Sequence, residues 1–156
     1  MSIFGPAEPP KTPLGLHRIL SPTAAIKVSQ ICLGGISIGS SWSGTFGENE
    51  DIFKLLDAFF DLGGNFIDTS NTYNSEESEK LIGEWMEKRD VRDQMVIATK
   101  FSAGYKAYDN KNLPMQANYT GNSAKSMHIS VRDSLKKLRT DYIDVLYVHW
   151  CVSLHL

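Results

Sequence analysis

The stretch that most limits the possible folds is Gly63-Gly64-Asn65-Phe66-Ile67-Asp68-Thr69-Ser70-Asn71-Thr72-Tyr73. Its two glycines can take the left-handed conformation that ends a helix. Phe66 and Ile67 then make a short apolar strand, Asp68 stands at its carboxyl end, and Tyr73 follows in a polar loop. Two later segments end the same way. Met95-Val96-Ile97-Ala98-Thr99 runs into Lys100, and Ile143-Asp144-Val145-Leu146-Tyr147-Val148 runs into His149. Helical patterns separate these runs, and strands alternating with helices predict a parallel α/β sheet. In a closed parallel barrel the C-terminal strand ends share one face, and that face carries the chemistry.

The spacing predicts strands near 30–34, 65–68, 95–100 and 142–148. Helices are expected over 50–62, 77–89 and 124–139. In the first helix Ile52, Leu55, Leu56 and Phe59 recur at helical spacing, with Lys54, Asp57 and Asp61 on the solvated side and Asn49 as N-cap. Asn74 and Glu77 read as a capping box for the second helix, and Glu76, Glu77 and Glu79 suit its first turn by charge. Leu81, Ile82, Trp85 and Met86 form its buried stripe. Met127, Val131, Leu135 and Leu138 are expected to form that of the third, with His128 exposed beside it.

Before the sheet, Pro6, Pro9, Pro10 and Pro13 mark residues 1–13 as a loose tail. Segments 14–20 and 25–29 flank Pro22 as a hairpin, with His17 on its surface. The first strand leaves through a Gly- and Ser-rich stretch from Gly35 to Gly47. There Trp42 either lines an aromatic pocket or pins the loop. Residues 101–122 form a long connection at the same end of the sheet. Its tyrosines, Tyr105, Tyr108 and Tyr119, either stack on a flat substrate or are mobile.

The chain has 156 residues, with 16 basic and 18 acidic side chains and a formal net charge of −2, which gives no nucleic-acid surface. Cys32 and Cys151 form no CxxC and read as a reduced pair. No signal peptide or apolar run of membrane length is visible, so a soluble cytoplasmic protein is expected. The glycines at 34, 35 and 39 miss the GxGxxG spacing. A GxSxG elbow and the HExxH pattern of a metal site are both missing, and no metal is expected.

Asp68, Tyr73, Lys100 and His149, in that order, resemble the catalytic tetrad of the aldo-keto reductases. Gly64 to Ser70 running on to Glu79-Lys80-Leu81-Ile82-Gly83 resembles that family's first signature. Ser134 to Asp144 resembles the segment before its histidine strand. Cys32 to Gly39 and Trp42-Ser43-Gly44 look most like the fungal aryl-alcohol dehydrogenase and norsolorinic acid reductase members. The resemblance covers residues 14–150 and implies the N-terminal half of a (β/α)8 barrel preceded by a β-hairpin.

It further implies an NADPH-dependent oxidoreductase that interconverts aldehydes or ketones, aromatic ones by the subfamily look, with alcohols. Tyr73 would be the proton donor, Lys100 the charge beside it and Asp68 the group holding Lys100. His149 would polarise the carbonyl oxygen, and Gly35, Ile36 and Asp68 would contribute to the cofactor site. The bottom-up reading agrees: hydride needs a nicotinamide, and the proton needs a donor near the developing alkoxide.

A whole barrel typically needs about 250 residues. The expectation is therefore a partial barrel over 14–150 with an atypical end at 151–156. It would expose sheet edges at its first and fourth strands, self-associate through them, and lack measurable carbonyl reduction by itself. Leu33, Phe66, Ile97 and Val145 lie in strands that a closed barrel would bury on both faces. The alternative is an inert half-barrel or assembly partner.

Overall fold

The computed structural model describes residues 8–47 and 51–150. The expected cap Asn49, the start of the tail at 1–7 and the end at 151–156, with Cys151, lie outside them. The first two strands, β1 (Arg18–Ile19) and β2 (Lys27–Val28), pair antiparallel as the expected hairpin. Thr12 Oγ1 donates to Leu62 O at 2.6 Å, and the exposed His17 ring sits 2.9 Å from Gly63 O. The hairpin is thus tied to the segment that leads into the strand of Asp68.

Four strands form the main sheet: β3 (Leu33–Gly34), β4 (Phe66–Asp68), β5 (Val96–Phe101) and β6 (Val145–Val148). They pair in chain order, all parallel. The helices are α1 (Ser43–Phe46), α2 (Ile52–Asp61), α3 (Glu77–Arg89) and α4 (Ala124–Leu138). Ile67 and Ile97, both fully buried, meet Leu56 and Phe59 of α2, Ile82, Trp85 and Met86 of α3, and Leu138 of α4. The three long helices therefore cover one face of the sheet. Because side chains alternate along a strand, the opposite face holds Phe66, Asp68, Ala98, Lys100, Val145 and Tyr147.

Trp85 is core, as expected, at 1 % exposure. Its indole N–H donates to Asp57 Oδ1 at 2.9 Å, so Asp57 is a partner rather than an idle solvated acid. Asp51 caps α2 by accepting from Lys54 N at 3.1 Å. Leu55 stays exposed, while Phe53 and Phe60 pack against the core in its place.

The expected inner stripe of α4 is one position out of phase. Ser126, Ser130 and Ser134 are buried with Leu138, whereas Met127 is exposed and Val131 and Leu135 only half-buried. The reason is a close helix approach. A Cβ on Gly83 of α3 would lie 2.3 Å from Lys137 O and 2.6 Å from Leu138 C. Small serines admit that approach, and the apolar row turns sideways with Leu146 into an open depression of about 470 Å³.

The fourth strand is pinned at both ends. Asp144 Oδ2 accepts from Arg92 Nη2 and from Ile97 N, each at 2.8 Å, and the Arg92 guanidinium lies 3.7 Å above the Tyr142 ring. Past the strand, His149 N donates to Phe101 O at 2.8 Å, and Ser102 Oγ bonds both N and O of Trp150 at 3.0 Å.

Gly83→Ala is expected to lower stability by about 1–3 kcal/mol, because the clash is with backbone and neither helix can yield alone. Gly44→Ala, which meets nothing within 4 Å, serves as the control. Urea denaturation of both variants beside the wild type is the check, and equal midpoints would contradict the packing account.

Candidate active site

Register decides which side chains meet. Asp68 pairs with Ala98, so Lys100, two residues on, shares its face; Tyr147 pairs with Lys100, so His149 shares that face as well. Lys100 Nζ donates to Asp68 Oδ1 in a short ion pair and to Thr69 O at 2.7 Å. The two side chains are 14 % and 31 % exposed, sheltered but open to a ligand.

Lys100 Nζ also lies 4.7 Å from the centre of the Tyr73 ring. The Tyr73 ring stands edge-on to His149 at 5.6 Å and to Trp42 at 6.3 Å. His149 stacks on the exposed Trp150 at 5.6 Å. The four residues read from the sequence thus gather at one end of the sheet. Burial, then the Lys100 charge, lower the His149 pKa below its ordinary 6.5, while Asp68 opposes them.

Ser70, to which sequence reasoning assigned no role, holds that imidazole: its Oγ lies 3.1 Å from His149 Nδ1. The signal for it was the polar run directly after Asp68, a strand end followed by hydroxyls. Thr69 N donates to Ala98 O at 2.8 Å and Asn71 N to Lys100 O at 3.3 Å, continuing the parallel ladder beyond β4. The run is therefore held in place rather than a free loop.

The capping box read at Asn74 is not formed. Asn74 accepts from Trp42 N at 2.8 Å and donates to Ile36 O at 2.7 Å. Glu77 accepts from Ser40 N at 2.6 Å and Ser41 N at 3.1 Å. The backbone explains the difference. Asn74, Ser75 and Glu76 have φ of 50°, 53° and 76°, a left-handed run before the helix, so no extended N-cap exists there. Each such non-glycine residue costs about 1–2 kcal/mol. The side-chain bonds across to the Gly- and Ser-rich loop offset that cost.

Two of the three acids read at the start of α3, Glu76 and Glu79, are buried, while Glu77 is half-buried. Glu79 is fully buried, accepting from Thr99 Oγ1 at 2.6 Å and facing Lys137 Nζ at 2.7 Å. Glu76, 2 % exposed, meets Lys106, Lys137 and the Tyr108 hydroxyl. Two of the tyrosines in the long connection are thereby anchors. Tyr105 is buried and donates to Asp133 Oδ2 at 2.8 Å, and Tyr108 is tied to Glu76.

Gly35, read as a cofactor residue, has both backbone groups engaged: its N–H donates to Asp68 O at 2.7 Å and its carbonyl accepts from Ser78 Oγ at 2.9 Å. A Cβ there would lie 3.0 Å from Ser78 Oγ and 3.1 Å from Asp68 O, so glycine lets β3 and α3 close on the Asp68 strand. Ile36 presents an exposed side chain. Cys32 is an exposed residue on the Asp68 face; partial desolvation of its thiol, then the Asp68 charge, push its pKa up to about 11.

Among the described residues no helix is long and apolar enough to cross a membrane. The aldo/keto reductase family model matches residues 30–155. A putative aryl-alcohol dehydrogenase of Saccharomyces cerevisiae is 57 % identical over 150 residues, covering 95 % of this chain and 70 % of the relative. An aryl-alcohol dehydrogenase [NADP(+)] of Phanerodontia chrysosporium is 56 % identical over 155 residues, covering 96 % of this chain and 40 % of the relative. A putative aldo-keto reductase from Pseudomonas aeruginosa, known from its crystal structure, is 31 % identical with a TM-score of 0.65, covering 89 % of this chain and 48 % of that one. With its sheet order, its strand-end residues and these matches in agreement, the chain belongs to the aldo/keto reductase family.

Proposed function

We propose that this chain supplies the proton-handling side of an NADPH-dependent oxidoreductase that interconverts aromatic aldehydes or ketones with alcohols. The observation that carries the reading is Lys100, held on Asp68 and facing the Tyr73 ring, with His149 at the edge of the same ring. The aromatic and NADP preferences rest on the names of the relatives, aryl-alcohol dehydrogenases, one of them NADP(+)-dependent.

The donor set fits a nicotinamide partner, since an ammonium, a phenol and an imidazole can manage a proton and a negative oxygen but none can give hydride. The cofactor supplies that hydride when bound. Ile36 and Asp68 are the residues assigned to its side of the site, with Gly35 keeping Asp68 in place.

Tyr73 donates the proton to the carbonyl oxygen as the alkoxide forms. Lys100 stabilises the phenolate that remains, and Asp68 keeps the ammonium charged and aimed. His149 acts as a neutral ring. The role requires the tautomer in which Ser70 Oγ, 3.1 Å from Nδ1, donates to it, so that the ring proton on Nε2 is available to the substrate oxygen, a polarising contact worth a few kcal/mol in such sites. In the oxidation direction the same groups run in reverse.

The chain also presents an apolar edge. Leu146, Tyr147 and Val148 on β6 are 38 %, 41 % and 52 % exposed, beside the depression on α4. These features support self-association of the isolated chain. Sedimentation should then show a species larger than a monomer, and a concentration-independent monomer would refute it.

In a full-length counterpart that completes the barrel, Tyr73→Phe is expected to reduce turnover of an aryl aldehyde by about 10²–10⁴-fold while NADPH titration by fluorescence stays unchanged. Wild-type turnover in that variant would remove Tyr73 as the acid. The imidazole of His149 should titrate below 6.5 when followed by NMR, staying neutral at neutral pH and charging only as the pH falls further. A midpoint above 6.5 would contradict the neutral-donor role.

A further inference from the structure

We infer that Glu76 is a positioning residue for Tyr73, tying the loop that carries the phenol to the back of the sheet and to the long connection after β5. The inference rests on the functional reading above. If only the turn mattered, a residue at φ 76° would be glycine. A glutamate stands there instead, with its side chain 3 % exposed and its charge met from two directions.

From α4, Lys137 Nζ reaches Glu76 Oε1 at 3.0 Å; from the long connection, Lys106 Nζ reaches Oε2 at 2.7 Å, joined by the Tyr108 hydroxyl. Burial works to raise the Glu76 pKa, but the Lys137 charge and these hydrogen bonds outweigh it and lower the value, so the carboxylate is ionised. Lys137 also donates to Asn71 O at 3.3 Å. One ammonium therefore touches the loop on both sides of Tyr73, at Asn71 and at Glu76.

Tyr73 itself sits against the rings of Trp42 and His149, and its two backbone bonds are long: its N–H donates to Ser70 O at 3.3 Å and its carbonyl accepts from Ser78 N at 3.4 Å. The left-handed run from Asn74 to Glu76 is a strained conformation that persists only when its surroundings over-determine it. The ion cluster on Glu76 provides that hold on the helix side, as Asn74 does on the side of Trp42. Since Lys106 and Tyr108 share the same carboxylate, the long connection and the Tyr73 loop move together.

Neutralising the carboxylate without changing its shape tests this. In a full-length counterpart that completes the barrel, Glu76→Gln should lower turnover of an aryl aldehyde by about 10–100-fold, the scale of a small misplacement of a catalytic group, with NADPH affinity unchanged. Amides 71–77 should exchange hydrogen faster, while those of 97–99 in β5 stay as in the wild type. The effect on turnover should disappear when Tyr73→Phe is already present, because Glu76 acts through the phenol.

Unchanged exchange at 71–77, or an equal further loss in both backgrounds, would overturn the inference. Tyr73→Phe alone separates the two levels. If it keeps full turnover, the functional reading falls and takes this inference with it; if it loses turnover while Glu76→Gln does not, only this inference falls. In the 156-residue chain alone, where no turnover is expected, the exchange at 71–77 decides whether Glu76 holds the loop; a full-length wild type with no turnover would fail the functional reading. Should Glu76→Gln fail to fold, Tyr108→Phe, which removes an exposed phenol and a single bond to the carboxylate, is read the same way with smaller effects of the same sign.

Discussion

The parallel register of β4, β5 and β6 is the constraint on which the site depends. Side chains alternate with a period of two, so a slip of one residue would send Lys100 to the helix side and bring Thr99 to Asp68. The helix-side core prevents that slip. Ile67 and Ile97 are fully buried against three helices and cannot be exchanged for Asp68 or Lys100 without placing charge in the core. Packing behind the sheet thus sets the chemistry in front of it. Asp144 adds a second lock by bonding Ile97 N directly, which fixes how far β6 runs before His149.

Behind the sheet lies a group of buried charges that composition alone would place at the surface. Lys137 stands between Glu76 and Glu79, and Thr99 completes the bonding of Glu79. Burying such groups is costly, and removing one partner typically costs about 3–5 kcal/mol because the other is left uncompensated. Their value is specificity of arrangement: they join α3, α4, β5 and the Tyr73 loop at one point. The close approach at Gly83 and the serine face of α4 are what bring Lys137 within reach.

The loop between β4 and α3 combines strain with multiple restraints. Three left-handed residues in succession would not persist in an isolated peptide. Here Asn74 bonds to the Gly- and Ser-rich exit of β3, and Glu76 bonds to the long connection and α4. Tyr73 lies between these restraints. The aromatic rings of Trp42, Tyr73, His149 and Trp150 then form a continuous series along the open side of the site.

The sequence by itself determined the strand–helix order, the parallel sheet, the hairpin and the identity of the residues at the strand ends. These follow from local signals: apolar runs of strand length, helical periodicity, and polar residues placed where each run stops. Asp68, Lys100 and His149 were legible because period-two alternation carries their relative facing once strands pair in order. Only the tertiary structure decided which helix face is buried, since the apolar row of α4 is periodic but the sheet and α3 accept the serine row that allows closer approach. It likewise decided the roles of Asn74, Glu76, Glu79, Tyr105 and Tyr108. Their partners lie roughly 20 to 60 residues away in the chain, and local rules for caps and solvated charge cannot see a lysine arriving from another helix.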